Sequence, residues 1–291
     1  MKSDIPLFDL TPSLTQASGP GSRSEADSLS YMPMPKEMHT FELPRLPESE
    51  EVAQAPRVLA LLAQVQEALD AYRPGMSTRT LSLDLLAEAD RALLYQVLGE
   101  GEVALQIGAD IRVRAQETVL AGLWWLQQVD SSGQLERQWL EVADLPELVR
   151  QSAFSTTEVP TVGEGDLPEG ILNAGPVLVE LFDVARRHQT TPRELPHVIN
   201  LSLLPFSPED HTFLANSLGQ GPVVILSRGY GNCRIGSTAV PGIWRVQYFN
   251  STDQLILDTL EVVEVPQVAC AAKEDLEDSS ERLREMREVL V

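Results

Sequence analysis

The chain repeats one pattern at a fixed distance of 120 residues. Leu98-Gly99-Glu100-Gly101-Glu102-Val103 returns as Leu218-Gly219-Gln220-Gly221-Pro222-Val223. Gly122-Leu123-Trp124 returns as Gly242-Ile243-Trp244, and Leu140-Glu141-Val142 as Leu260-Glu261-Val262. Residues 56–146 lie on 176–266 without a gap, and 24 of the 91 pairs are identical. An offset held over so many segments points to two copies of one module in one chain. The chain then divides into an N-terminal arm (1–55), a first module (56–146), a linker (147–175), a second module (176–266) and a helical tail (267–291).

A length of 291 residues suits two such units, and a hydrophobic share of 43% supplies a core for each. Apolar runs such as Val119–Leu126 fall far short of the roughly 20 residues of a membrane-spanning helix. Met1-Lys2-Ser3-Asp4-Ile5-Pro6 lacks the basic-then-apolar order of a secretory signal. Cys233 and Cys270 make neither a disulfide framework nor a CxxC pair, which suits a reducing, cytoplasmic compartment. A net charge of −21 argues against nucleic acid and anionic membrane as partners. It fits either plain solubility or a surface that attracts a basic segment of a partner protein.

Each module reads as helices followed by an antiparallel meander, an α+β class. Pro56 opens a helix whose Val58, Leu61, Leu62, Val65 and Leu69 share one face. Leu81-Ser82-Leu83 is a short strand, residues 87–98 a second helix, and strands are expected over 103–107, 111–113, 118–129 and 135–142. Asp130-Ser131-Ser132-Gly133 makes a hairpin turn. In the second module Ser207-Pro208-Glu209-Asp210 is a strong helix start. Strands follow at 223–226, 242–249 and 255–263, and a final helix runs from about Asp275 to Leu290. Two such modules are expected to pack about a pseudo-two-fold axis, with side-by-side units on a linker as the alternative. Residues 1–50 hold seven of the twenty prolines. Within them 32–47 sets three methionines, Phe41 and two leucines between prolines, which reads either as an extended arm that docks on the body or on a partner or as plain disorder.

No catalytic constellation emerges. The Gly-x-Gly sites follow a helix and precede a strand, the reverse of a dinucleotide fingerprint, so they read as a helix cap and tight turn. His39, His188, His197 and His211 have no metal-ligand spacing, and His211 is read as a surface residue. Arg228-Gly229-Tyr230-Gly231-Asn232-Cys233-Arg234-Ile235-Gly236-Ser237 is the most distinctive stretch of the second module and is read as a hairpin loop, the alternative being backbone N–H groups and two arginines set around an anion. Cys233 beside Arg234 suggests a lowered thiol pKa. Trp124 and Trp244 match and read as core anchors. Trp125 and Trp139 face Arg245 and Thr259 in the other copy and are candidates for exposed contacts, with core packing as the alternative reading. The candidate partner-binding residues are therefore Arg228, Tyr230, Asn232, Cys233, Arg234, Trp125, Trp139 and Phe41. No cofactor or metal is assigned.

The repeated Leu-Gly-x-Gly-x-Val, Gly-(Leu/Ile)-Trp and Glu-Val-x-x-(Leu/Val)-Pro blocks, followed by Ala271-Ala272-Lys273-Glu274-Asp275-Leu276-Glu277-Asp278-Ser279, resemble the HupH/HyaF/HoxQ family. These are expression and formation proteins of uptake nickel–iron hydrogenase operons. The resemblance spans about residues 50–291, with Lys273 where the family commonly has proline. It implies a non-catalytic maturation factor for the Fe–S small subunit, acting before twin-arginine export. The implied partner is the small-subunit precursor, with its twin-arginine leader as a candidate contact and a second maturation chaperone as another. The alternative is a redox or Fe–S-handling protein of the same pathway using Cys233, although no cluster spacing accompanies it.

Overall fold

The computed structural model describes residue 47 and residues 49–108, 112–162, 168, 170–191, 195–229 and 231–290. Contacts divide the described residues into two compact units, a first within 47–149 together with 268–290 and a second within 150–267.

In the first unit, helices α1 (Ser49–Ala53) and α2 (Pro56–Ala71) lead into strand β1 (Arg79–Ser82) and helix α3 (Glu88–Leu98). Strands β2 (Val103–Ile107), β3 (Val113–Glu117), β4 (Leu123–Val129) and β5 (Leu135–Val142) follow, then helix α4 (Glu147–Ser152). All neighbours are antiparallel in the order β1-β5-β4-β3-β2. Pro56 sits in the first turn of α2, where its missing N–H costs nothing, and the helix buries Val58, Leu61, Leu62, Val65 and Leu69. The strand boundaries depart from expectation: residues 113–117 form a strand, while Thr118–Gly122 turn the chain. Thr118 Oγ1 accepts the Leu120 N–H, so the apolar run from Val119 begins in a turn and not in a strand.

The second unit repeats the order: α5 (Ala174–Thr190), β6 (His197–Asn200), α6 (Pro208–Leu218), then β7 (Val223–Ser227), β8 (Asn232–Ser237), β9 (Ile243–Phe249) and β10 (Leu255–Val262). Its strands run antiparallel in the order β7-β8-β9-β10-β6. Its helices cover Ile243, Leu260 and Val262 with Leu178, Leu181, Phe182, Leu214 and Leu218. Ser207 and Asp210 form a capping box at the start of α6, whereas Ala87 caps α3 with no side-chain bond. Asp210 is fully buried. Its Oδ1 accepts the N–H groups of Leu172, Asn173 and Ala174, and its Oδ2 that of Ser207, so one carboxylate fixes the starts of both α5 and α6.

The Gly-x-Gly sites play the structural part expected of them. The N–H groups of Gly99 and Gly219 close α3 and α6 onto Tyr95 O and Ala215 O at 2.8 and 2.9 Å. Gly101 and Gly221 then pass so close to the turns after β3 and β8 that a Cβ would fall on Thr118 O or on Ser237 Oγ. Trp124 and Trp244 are buried, and their indole N–H groups donate to Ala143 O (3.0 Å) and Glu264 O (3.1 Å). The hairpin turns match as well, with Asp130 and Asn250 each accepting two backbone N–H groups through Oδ1.

The gap-free alignment fails at one place. Most elements stand 120 residues apart, but β1 and β6 start 118 apart, at Arg79 and His197. Leu81 pairs with Leu140, while Ile199, not Leu201, pairs with Leu260. The two extra residues after β6 are taken up by a 3-10 turn at Leu201–Leu203.

The helix α7 (Lys273–Leu290), read in the sequence as a tail, belongs to the first unit. Gln66 of α2 donates to Ser280 O and Oγ at 3.0 Å, and Ala271 N–H to Asp144 O at 2.9 Å. Leu276 lies against Gly122 so closely that a Cβ there would overlap its Cδ2.

Candidate functional site

The stretch expected to be a loop, 228–237, is mostly strand. Asn232–Ser237 form β8, with Cys233, Ile235 and Ser237 buried and Asn232, Arg234 and Gly236 half-buried between them. Arg228 is half-buried ahead of it, and Asn232 Nδ2 donates to Asp253 Oδ1 at 3.3 Å. Tyr230 and Phe41 lie outside the described residues.

Cys233 is not the activated thiol its sequence neighbour suggests. Successive side chains of a strand leave on opposite faces, so Arg234 points away from it. Cys233 is 4% exposed and stands opposite Tyr248 of β9. Burial pushes its thiol up to about 11, with Glu261 adding to the rise and a Tyr248 contact opposing it. It is held as a protonated, packed side chain, which counts against a role as thiolate nucleophile or ligand.

On the other side of β8, Arg234 lies near a buried ion pair of the second unit, Arg245 with Asp258. Arg245 donates to Asp258 from Nε to Oδ1 (2.9 Å) and from Nη2 to Oδ2 (2.5 Å), with Asp258 only 4% exposed at its side chain. Burial works against the Arg245 cation, and Asp258 more than restores it. Burial and the nearby Arg245 lower the Arg234 pKa. His211 is half-buried rather than at the surface, stacked edge-on to Phe206 at 5.3 Å, with Nδ1 buried and without a hydrogen-bond partner. Burial, then Arg245, lowers its pKa against the pull of Asp258 and Asp210.

The same positions in the first unit are filled differently. Trp125 and Gln138 stand where Arg245 and Asp258 do, and the indole N–H donates to Gln138 Oε1 at 3.0 Å. Trp125 also meets Tyr95 edge-on at 5.5 Å. At 3% exposed it is a core residue, which corrects the reading as an exposed contact and leaves core packing, the other reading of the sequence. Trp139 is corrected likewise: it is 4% exposed, with the Arg137 guanidinium 5.0 Å over its ring and its N–H 3.4 Å from Glu141 Oε2. An aromatic without a counterpart in the other copy suggests an exposed contact. Here its partner residue changed with it, and the slot stayed buried.

Two surface features escaped sequence reasoning. On α7, Glu274, Asp278, Glu281, Glu285 and Glu288 are all exposed at alternating spacings of four and three, which sets them along one helix face. The neighbouring bases are drawn elsewhere, Arg284 to Asp70 and Arg282 to Val119 O. The signal was present as a charge period inside an amphipathic helix. The second feature is a pair of leucines that follow the edge strands, Leu85 at 87% and Leu203 at 80% exposure. They are equivalent once the two-residue shift at β1 and β6 is allowed for. Among the described residues no group of three or more His, Cys, Asp or Glu is arranged to hold a metal ion. No described helix is long and apolar enough to cross a membrane.

The family model described as "HupH hydrogenase expression protein, C-terminal conserved region" matches residues 52–157 and again 171–290. The chain is 62% identical over 272 residues to "Hydrogenase expression/formation protein HupQ" of Azotobacter chroococcum mcd 1, covering 94% of this chain and 95% of the relative. It is 58% identical to "Hydrogenase expression/formation protein HoxQ" of Azotobacter vinelandii, covering 100% of both. It is 33% identical to "Hydrogenase-1 operon protein HyaF" of Escherichia coli (strain K12), covering 92% of this chain and 93% of that one. Matched through both halves by the conserved region and end to end by such relatives, the chain belongs to the HupH/HoxQ/HyaF family of hydrogenase expression/formation proteins.

Proposed function

We propose that this protein is a non-catalytic, cytoplasmic assembly factor that binds the Fe–S small-subunit precursor of an uptake nickel–iron hydrogenase before export. The observation that carries the reading is the end-to-end identity with the HoxQ protein of Azotobacter vinelandii, whose name is that of a hydrogenase expression/formation protein. The surface supports a binding role. The acidic row on α7, within a chain of net charge −21, suits the basic part of a twin-arginine leader, and such attraction speeds encounter and weakens with salt. A second maturation chaperone is a further partner. The recurring element order supports descent of the two units from one duplicated module. The packed, protonated Cys233 speaks against the redox alternative. Capture of the small-subunit precursor, with and without its leader, at low and high salt tests the reading. Leader-dependent, salt-sensitive capture is expected.

A further inference from the structure

The first unit has an open groove of about 670 Å³ between α2 and β1, lined by Arg57, Ala60, Leu61, Gln64, Leu81 and Leu85 among others. Arg57, Ala60, Leu61 and Gln64 stand at helical spacing on one face of α2. The helix runs against the strand. Arg57 Nη1 donates to Leu85 O at 3.3 Å just past the end of β1, and Glu67 meets Arg79 at 3.8 Å at its start. The four residues of β1 thus offer about 13 Å of strand, at ~3.3 Å per residue, beside the helix wall.

β1 is the terminal strand of its sheet: β5 borders one side, and no described strand borders the other. Leu83 N–H donates to Gln138 O at 3.0 Å, and antiparallel pairing alternates. Leu81 and Leu83 therefore turn their backbone groups to β5, while Thr80 and Ser82 turn theirs outward. A strand added antiparallel, as every described neighbour in this unit is, would bond to Thr80 and Ser82. Its residue opposite Leu81 would share the buried face of the sheet and set its side chain against Ala60 and Leu61. Its residue opposite Leu83, two places earlier, would come to the Arg57 end. Arg57 is exposed, and no described carboxylate pairs with it, although the chain carries a net charge of −21. The other end of the groove is closed by the Glu67–Arg79 pair. An apolar wall with a lone cation at one end calls for an apolar side chain and a carboxylate at that spacing.

We infer that this groove binds an extended segment of a partner protein, which adds antiparallel to β1 with an apolar residue opposite Leu81 and, two residues before it, a carboxylate on Arg57. Backbone bonds to Thr80 and Ser82 hold the segment, and the helix wall reads its side chains. The site selects charge of the opposite sign to that drawn by the acidic face of α7, and it stands whether or not the partner is a hydrogenase small-subunit precursor.

A synthetic peptide tests this: one glutamate followed by alternating threonine and valine, acetylated and amidated so that the glutamate is its only charge. It is titrated into the full chain by calorimetry, and hydrogen exchange is read residue by residue. One-to-one binding is expected, with the Thr80 and Ser82 amides exchanging about tenfold more slowly at saturation and the other strands unchanged. Glutamine in place of the glutamate should weaken binding to the parent by about fivefold, the upper range for an exposed ion pair, and should make no difference to Arg57→Gln. Methylating both threonine nitrogens of the peptide, the donors to Thr80 and Ser82, should remove binding. No binding up to millimolar peptide would overturn the inference, as would equal affinity of the glutamate and glutamine peptides for the parent or undiminished binding of the methylated peptide. So would slow exchange at Thr80 and Ser82 before peptide is added, which would mean that the same chain or a second copy already pairs with the edge. None of these outcomes bears on capture of the precursor.

Discussion

Arg245 and Asp258 are joined by two hydrogen bonds, 2.9 and 2.5 Å long, at the positions where the other unit joins Trp125 to Gln138 by one of 3.0 Å. One sheet position is thus filled by an ion pair in one unit and by an indole–amide pair in the other. Removing one partner of a buried pair strands the other charge. Arg245→Ala or Asp258→Ala is expected to cost about 3 kcal/mol or more. The double substitution Arg245→Trp, Asp258→Gln imports the other unit's solution and should recover most of that loss. Urea unfolding midpoints of the two single variants and the double variant decide it.

Asp210 governs acid stability in the second unit. Burial works to raise its pKa, but the N–H groups of Ala174, Ser207, Asn173 and Leu172 outweigh that and hold it below the usual carboxylate range. A depressed folded-state pKa contributes stability above the unfolded value, near 3.9, and loses it as pH falls through the lower folded value. Asp210→Ala should cost about 3 kcal/mol near neutrality by orphaning buried N–H groups. Asp210→Asn, which keeps an acceptor, should cost less and flatten the loss of melting temperature below pH 4.

Glu117 has the opposite sign. Burial pushes its carboxyl up to about 7, the Gly122 N–H opposes this, and Glu102 and Asp275 add to the rise. A raised carboxyl favours the protonated folded form, so stability falls as pH climbs from the ordinary range near 4.3 to about 7. Glu117→Gln keeps an acceptor for Gly122 N–H, which lies 2.9 Å from Oε1. It should match the parent protein at pH 4 and exceed it by about 2–3 kcal/mol at pH 8.

Cys233 should be inert while the protein is folded. With its thiol pushed up to about 11, iodoacetamide at pH 8 is expected to leave it unmodified and to label it only after denaturation. Peptide mass mapping reads each cysteine separately. Rapid labelling of Cys233 in the folded protein would revive a thiolate role.

These particulars also show what local sequence carries. The capping box at Ser207–Asp210, the helix closures at Gly99 and Gly219 and the paired turns at Asp130 and Asn250 were legible because each is decided within a few residues. Strand β8 was hidden by its flanking glycines, although Cys233, Ile235 and Ser237 alternate as a strand should. Leu81-Ser82-Leu83 and Leu201-Ser202-Leu203 are identical, yet pairing puts Ile199, not Leu201, in the place of Leu81. Register is set across the sheet, where linear identity does not reach. The burial of Trp125 and Trp139 was missed for the same reason, since their partners Gln138 and Arg137 act across strands or along one face. The acidic face of α7 depended on which residues the helix buries against α2.

The proposed recognition of a hydrogenase small-subunit precursor through the acidic face of α7 is tested by binding at graded salt. The parent protein and a variant with Glu274, Asp278, Glu281 and Glu285 changed to Gln are compared against the precursor with and without its leader. All four side chains are exposed, so the fold should persist. The parent is expected to bind the leader-bearing precursor, its binding to weaken at least tenfold between 50 and 300 mM salt (~1.4 kcal/mol), and the variant to bind weakly at all salts. Binding of equal strength with and without the leader, indifferent to salt and to the four substitutions, would contradict it.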